Sequence, residues 1–410
     1  MARSHDPYAS LRNTDFRRII ASYFAATFAR EAQIVVVGWQ AFAITHDPLT
    51  LGLVGLAEAL PLIAASLYAG HVADRVSRRS IALAGTFAMF ISAVALLLFT
   101  VNGTIADGRV WPIYAVIFLS GIARSFTRPA VTALSAEVIE RELYPNAVAW
   151  RASTWQLAAV VGPAAGGLVY GFAGATAAYA CVSALMFASL VAVWMITHRA
   201  APERGEEVPV GESVRLGLRF LLEQPAILGA MSLDLFSVLF GGATALLPIF
   251  AQLLHTGPEG LGILRAAPAI GSLVTGMIVA HRPPMKRAGA ALFASVAIFG
   301  LTMILFAISR SFMLSFALLT ISGMADNVSV IIRSTLIQTM TPAHLLGRVS
   351  AVNQIFIGAS NEIGAFESGV AARFMGVVPS VIFGGAMTLF VVGVTMWRSP
   401  ALRKMTTLSS

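Results

Sequence analysis

The sequence has 410 residues, of which 57% are hydrophobic and only 12% are charged, and its formal net charge is +8. Soluble domains carry about twice this charged fraction, so the composition excludes an ordinary soluble protein. Apolar runs of about 20 residues, the length that crosses a bilayer, recur along the whole chain and leave no room for large soluble domains.

Twelve such runs follow one another, six on each side of a polar break. The first six are Ile19–Ile44, Leu49–Ala69, Ser80–Val101, Trp111–Ala136, Ala147–Phe172 and Thr176–Thr197. The second six are Ala226–Leu254, Gly260–Ala280, Ala288–Ser309, Phe312–Thr339, Val349–Phe374 and Val377–Trp397. We therefore predict an all-α integral membrane protein with twelve transmembrane helices. A full-length helix follows Asp15 to Arg18 directly, so we expect no removed signal peptide.

The polar break predicts the domain organisation: a six-helix N-terminal half over 1–198, a cytoplasmic linker over 199–225, and a six-helix C-terminal half with a short tail over 226–410. Apolar residues recur at helical spacing within the linker, with charges on the other faces. They are Val214, Leu218, Leu221 and Leu222, against Arg215, Arg219 and Glu223. This pattern predicts a short amphipathic helix on the membrane surface, with a soluble linker as the alternative.

The positions of the basic residues predict the orientation, because basic loops are retained on the cytoplasmic side. With both termini in the cytoplasm, 19 of the 28 basic residues fall in cytoplasmic segments, and the opposite side holds only Arg109, Arg310 and Arg373. The net positive charge is thus a topology signal that requires no nucleic-acid partner. We expect a multi-pass protein of the inner, cytoplasmic membrane.

A charged motif lies between the second and third runs, over residues 70–79. Its defining residues are Gly70, Asp74, Arg75, Arg78 and Arg79, and Ser77 stands where glycine is usual. The segment resembles motif A of the major facilitator superfamily. That resemblance implies two pseudo-symmetric six-helix halves, the major facilitator fold, and a secondary transporter in which these five residues form a conformational latch. The alternative is that the arginines are only positive-inside anchors.

A second motif lies in the fifth run and comprises Gly162, Pro163, Gly166 and Gly167. It resembles motif C of the drug and proton antiporters, with Ala158 in place of the first glycine, and the resemblance implies export. The alternative is a packing seam of small residues with no bearing on direction. The arginine of motif B is absent, since Ile117 occupies its aligned position.

Internal repetition supports two related halves. A shift of 202 residues aligns Gly162 with Gly364 and Gly167 with Gly369, and it also aligns Arg124 with Asp326. We therefore expect opposite charges to face each other across a central cavity. The second copy of motif A has lost its aspartate, because Pro284 takes that place.

Ionisable residues inside membrane helices are costly and usually functional. Arginine does not release its proton, so proton coupling requires carboxylates. The candidates for proton coupling are Glu31, Asp234, Asp326 and Glu362, and those for the substrate cavity are Arg30, Arg124, Arg128 and Arg333. Static ion pairs between helices are the alternative. The single cysteine and the positions of the seven histidines predict no disulfide, no metal site and no cofactor.

The segment Thr341–Val349 and the second run are similar to the branch of the superfamily that contains the enterobactin exporter and related siderophore and macrolide efflux proteins. The favoured hypothesis is a monomeric, proton-coupled exporter of a small amphipathic or anionic molecule, a siderophore or a drug, working by alternating access. A lysophospholipid flippase, an importer and a non-transporting sensor or scaffold remain alternatives. No nucleophile triad or phosphate loop is visible, so we do not expect an enzyme.

Overall fold

The computed structural model describes residues 6–106, 109–198, 210–282, 287–403 and 405. In this part of the chain the secondary structure consists of helices joined by short turns. The α-helices are α1 (Thr14–Thr45), α2 (Pro48–Arg75), α3 (Arg78–Val101), α4 (Trp111–Glu137), α5 (Tyr144–Trp194), α6 (Val210–Glu223), α7 (Pro225–Gly241), α8 (Leu247–Leu253), α9 (Pro258–Ala280), α10 (Ala288–Ile308), α11 (Phe312–Met340), α12 (Ala343–Met375), α13 (Val377–Arg398) and α14 (Pro400–Arg403). The prediction of an all-α protein is confirmed.

Nine helical segments within the described ranges are long and apolar enough to cross a membrane. One of them runs Arg141–Trp194 and covers two predicted spans, because α5 breaks at Gly174, where φ is 78°. Helices α4 and α12, of 27 and 33 residues, are also of spanning length, but both carry several charges. With these two helices, the structure agrees with the predicted count of twelve.

Contacts divide the chain into two compact units. The first comprises Met1–Gln40 with Leu60–Glu207, and the second comprises Ala41–Ala59 with Val208–Ser410. The boundary at residue 207 falls inside the predicted linker. The assignment of Ala41–Ala59 to the second unit was not expected from the sequence. We call these the N-terminal and C-terminal units.

In the N-terminal unit, α3 packs against both α4 and α5. Small side chains make the packing close: Ala29 and Ala32 of α1 meet Ala93 of α3 and Val182 of α5 in one buried cluster. A buried hydrogen-bond chain joins the same helices, since the Tyr179 hydroxyl donates to Gln40 over 2.8 Å. Membrane helices associate through such packing and interhelical hydrogen bonds, because lipid tails are as apolar as their side chains.

In the C-terminal unit, α10 is the central helix and packs against α11 and α13, while α9 packs on α11 and α7 contacts both α12 and α13. One buried apolar cluster includes Leu233 of α7, Phe293 of α10 and Ile332 of α11, each at most 1% exposed. The amphipathic helix predicted in the linker is present as α6, which packs on α12.

The two halves share one backbone detail that supports the internal repeat. Gly174 and Gly376 lie 202 residues apart and have positive φ angles, 78° and 87°. Only glycine adopts these angles without strain, and each ends one membrane helix where the next begins. The offset that aligned the glycines of motif C in the sequence therefore also aligns these two turns.

Candidate functional site

A polar face in the N-terminal unit is centred on Arg151 of α5. The guanidinium lies over the Tyr23 ring of α1, 5.4 Å from its centroid, and its Nη2 donates to the Thr132 hydroxyl of α4 over 2.9 Å. Arg128, one turn before Thr132, is exposed and close enough to repel Arg151. Neutral groups of α1 and α4 thus position the Arg151 cation close to that of Arg128.

Arg30 and Glu31 on α1 form an ion pair, with 2.8 Å between Nη1 and Oε1. Their side chains are 30% and 15% exposed, so the pair is partly accessible. The structure therefore places the predicted coupling acid and a predicted cavity arginine side by side. Arg124 lies on α4, four residues before Arg128, and is half-buried.

The glycines of the motif in α5 bring its backbone against α1. A Cβ placed on Gly166 would lie 2.7 Å from the Ala32 Cα, and one on Gly162 would lie 2.8 Å from the Glu31 Cβ. Gly364 makes the equivalent contact in the C-terminal unit, where a Cβ would lie 2.9 Å from the Leu239 carbonyl oxygen of α7. Only glycine fits here, so this motif fixes the position of the helix segment that carries Glu31.

A charge cluster in the C-terminal unit joins α7 to α11. The Arg333 guanidinium contacts the Asp234 carboxylate, and the two side chains are 3% and 9% exposed. Asp326, two turns before Arg333, is repelled by Asp234 and attracted by Arg333. The Arg333 guanidinium therefore contacts the buried Asp234 and also attracts the half-buried Asp326. Because Arg333 is buried against Asp234, it presents no open charge to a substrate in this structure.

Glu362 is half-buried on α12, near the first turns of α2. At that contact a Cβ on Gly52 would lie 3.0 Å from the Phe366 carbonyl oxygen, and Arg373 forms an ion pair of 2.9 Å with Asp47. The close packing at Gly52 and the ion pair of Asp47 with Arg373 connect Ala41–Ala59 to α12 of the C-terminal unit. They were not expected from the sequence, since the partners are more than three hundred residues apart.

The charged motif over residues 70–79 is described in part. Arg78 forms an ion pair with Glu137 at the end of α4. Arg79 donates to the carbonyl oxygens of Trp194 and Ile196, each over 2.7 Å, and so caps the last turn of α5. Arg78 and Arg79 therefore do more than supply positive charge that keeps this loop on one side of the membrane, because each makes specific contacts with another helix. The surroundings of Gly70, Asp74 and Arg75 lie outside the described part of the structure, and so does Pro284. The latch therefore remains a prediction.

The described residues combine partly exposed arginines, buried or half-buried carboxylates and helices packed closely at glycine. In the described ranges, no group of three or more histidine, cysteine, aspartate or glutamate side chains could hold a metal ion. Sequence reasoning missed the roles of Arg151 and Tyr23. The sequence could not reveal the partners of Arg151, because they lie on two other helices, α1 and α4.

Comparison with known proteins identifies the family. The family model described as transmembrane secretion effector, a branch of the major facilitator superfamily, matches residues 5–410. The chain belongs to the major facilitator superfamily. It is thus a multi-pass membrane transporter and not an enzyme, and the resemblance found in its motifs is confirmed.

Individual relatives agree with this assignment. The chain is 24% identical over 381 residues to the enterobactin exporter EntS of Escherichia coli O1:K1 / APEC. The alignment covers 93% of this chain and 90% of the relative. The same proteins of Shigella boydii serotype 18 and Citrobacter koseri match to the same extent.

Solved transporter structures share the fold at low identity. A crystal structure of the nucleoside transporter NupG covers 95% of this chain and 100% of its own, with a TM-score of 0.73 and 13% identity. A POT family transporter in complex with 5-aminolevulinic acid gives a TM-score of 0.75 at 10% identity, covering 95% and 96%. These likenesses establish the major facilitator fold.

Proposed function

We propose that this chain is a proton-coupled exporter of a small anionic or amphipathic molecule, working by alternating access in the inner membrane with both termini in the cytoplasm. The observation that carries the proposal is the charge cluster of Asp234, Asp326 and Arg333. The Arg333 guanidinium there contacts Asp234 at low exposure and also attracts the half-buried Asp326. Buried charge of this kind is expensive and is retained where it moves ions.

The cluster has one negative charge more than its arginine neutralises. A proton on one carboxylate removes that excess, and its release restores it. Asp326 is the better proton carrier, because Asp234 is in direct contact with Arg333 whereas Asp326 is half-buried. Glu31 is the second carboxylate in the proposal, since its partner Arg30 can exchange it for an anionic substrate.

The substrate class follows from the N-terminal unit. Arg30, Arg124, Arg128 and Arg151 lie on α1, α4 and α5, the helices that also carry Tyr23 and Thr132. An anion gains from several guanidinium groups at once, and planar acids gain most, since arginine binds carboxylates through two parallel bonds. Because the relatives are named enterobactin exporters, enterobactin is the first compound to test. The glycine motif of α5 supports export.

The test is uptake into inside-out vesicles that carry an imposed proton gradient, acid inside. Enterobactin and, as a contrast, the cationic dye ethidium are the probes. We expect gradient-driven uptake of enterobactin, loss of the gradient dependence in Asp326→Asn and Glu31→Gln, and no effect of Glu142→Gln, which removes an exposed carboxylate. Equal uptake with the gradient collapsed would overturn proton coupling. Uptake of ethidium alone would overturn the anionic substrate.

A further inference from the structure

Helix α6 presents two faces of different character. Its inner face is packed: Leu221 is 1% exposed and lies in a cluster with Ile227 of α7 and Val352 of α12. Gly217 lies on the same face, where a Cβ would be 3.0 Å from the Arg348 carbonyl oxygen. This close approach fixes the rotation of α6 about its axis, and therefore determines which residues point away from the protein.

The outer face carries two leucines and two arginines. Leu218 and Leu222 are 38% and 60% exposed, and Arg215 and Arg219 are also exposed. Each arginine lies three residues before a leucine, and like residues are four apart, so the four side chains form one patch on the helix surface. We call it the α6 patch. In water, 60% exposure of a leucine would be unfavourable.

The position of α6 places this patch at the edge of the bilayer. Only Gln224 separates its last residue from Pro225, the first residue of a membrane-spanning segment. The inner face of α6 lies on the early turns of α7 and α12, so the helix is held beside these two helices where they begin. A helix at this depth meets lipid headgroups on one side and acyl chains just below them.

We propose that the α6 patch is a binding site for anionic phospholipid in the cytoplasmic leaflet. Leu218 and Leu222 enter the boundary between headgroups and acyl chains, and Arg215 and Arg219 bind the phosphates. The charges are complementary, because that leaflet is negatively charged and attracts basic residues beside membrane helices. Arg219 also contacts Glu223 over 3.1 Å, but both side chains are more than 60% exposed, and such a pair holds an arginine only weakly.

The test uses the full-length protein in nanodiscs of phosphatidylcholine with phosphatidylglycerol. Cys181, the single cysteine, is first replaced by serine, and an environment-sensitive dye is attached to Leu222→Cys or, as the matched control, to Glu223→Cys, the next residue, which is exposed and lies about 100° around the helix from Leu222. Brominated lipids then report contact by quenching. We expect blue-shifted, quenched emission at position 222 and water-like, unquenched emission at position 223.

The charge is tested by comparing brominated phosphatidylglycerol with brominated phosphatidylcholine at equal mole fraction. We expect stronger quenching by the anionic lipid, and Arg215→Gln and Arg219→Gln should each lower this preference, by roughly fivefold for an arginine in direct contact. Water-like emission at position 222 would overturn the membrane site. Blue-shifted emission that no brominated lipid quenches would also overturn it, because a protein partner would then cover the patch. Equal quenching by both lipids would overturn anionic selectivity.

Discussion

Replacing Gly166 by alanine should destabilise the N-terminal unit measurably. The added Cβ would lie 2.7 Å from the Ala32 Cα, 2.8 Å from its carbonyl oxygen and 2.9 Å from its Cβ. Carbon atoms in contact prefer about 3.5–4.0 Å, so α5 and α1 must separate by roughly 1 Å. Two of the three contacted atoms are backbone, and no rotamer change can relieve the clash. Overpacking of this kind costs about 1–3 kcal/mol.

The matched control is Gly393→Ala in α13, where a Cβ meets nothing within 4 Å. There the substitution should stabilise the helix by about 0.5–1 kcal/mol, because alanine loses less backbone entropy than glycine on folding. The two variants carry the same chemical change, so they should differ by roughly 1.5–4 kcal/mol in the free energy of unfolding. Their difference isolates the contact with Ala32.

The assay is a reversible unfolding titration of the purified protein with SDS in mixed micelles, followed by tryptophan fluorescence. Equal unfolding free energies for Gly166→Ala and Gly393→Ala would refute the close approach of α5 to α1. If the two differ as expected, Gly166→Ala should also lower transport, since the displaced segment of α1 carries Glu31.

Three further substitutions test the charged groups. Asp234→Asn should lower the unfolding free energy by about 3 kcal/mol in the same titration, because Arg333 is left buried without its partner, and the double variant with Arg333→Leu should recover most of it; an unchanged midpoint in the single variant would contradict the buried pair. Arg79→Gln should increase hydrogen exchange at the last turn of α5 about tenfold or more, as two charge-assisted hydrogen bonds are lost; unchanged protection would argue against the cap. Arg151→Lys should raise the KM of an anionic probe about tenfold with little change in maximal rate, because lysine lacks the planar group that stacks and binds acids bidentately; an equal loss in maximal rate would assign it another role.

Hydropathy was sufficient to place the helices, because every backbone group in a bilayer must be bonded within its own helix. The spans α4 and α12 are the instructive cases. Both carry charges that weaken the hydropathy signal, yet each still contains an apolar run long enough to predict a span. The offset of 202 residues reappears in the turns at Gly174 and Gly376.

The candidate site was less predictable, because its contacts are between helices distant in sequence. Asp234 and Arg333 were each recognised as ionisable residues inside a membrane helix, but the sequence could not show that they contact each other. Arg79 was expected to be part of a latch, and that role stays a prediction. Its hydrogen bonds to the backbone oxygens at the end of α5 could not be foreseen, because backbone acceptors leave no mark on the sequence. The ion pair between Asp47 and Arg373 was missed for the same reason.

The central claim, proton-coupled export, is tested most directly by reciprocal linkage in purified protein reconstituted into liposomes with no initial gradient. Addition of enterobactin on one side should move protons in the opposite direction to the substrate, at a fixed ratio, and Asp326→Asn should abolish the proton movement. Substrate transport at the normal rate without any proton movement in the unmodified protein would contradict the claim.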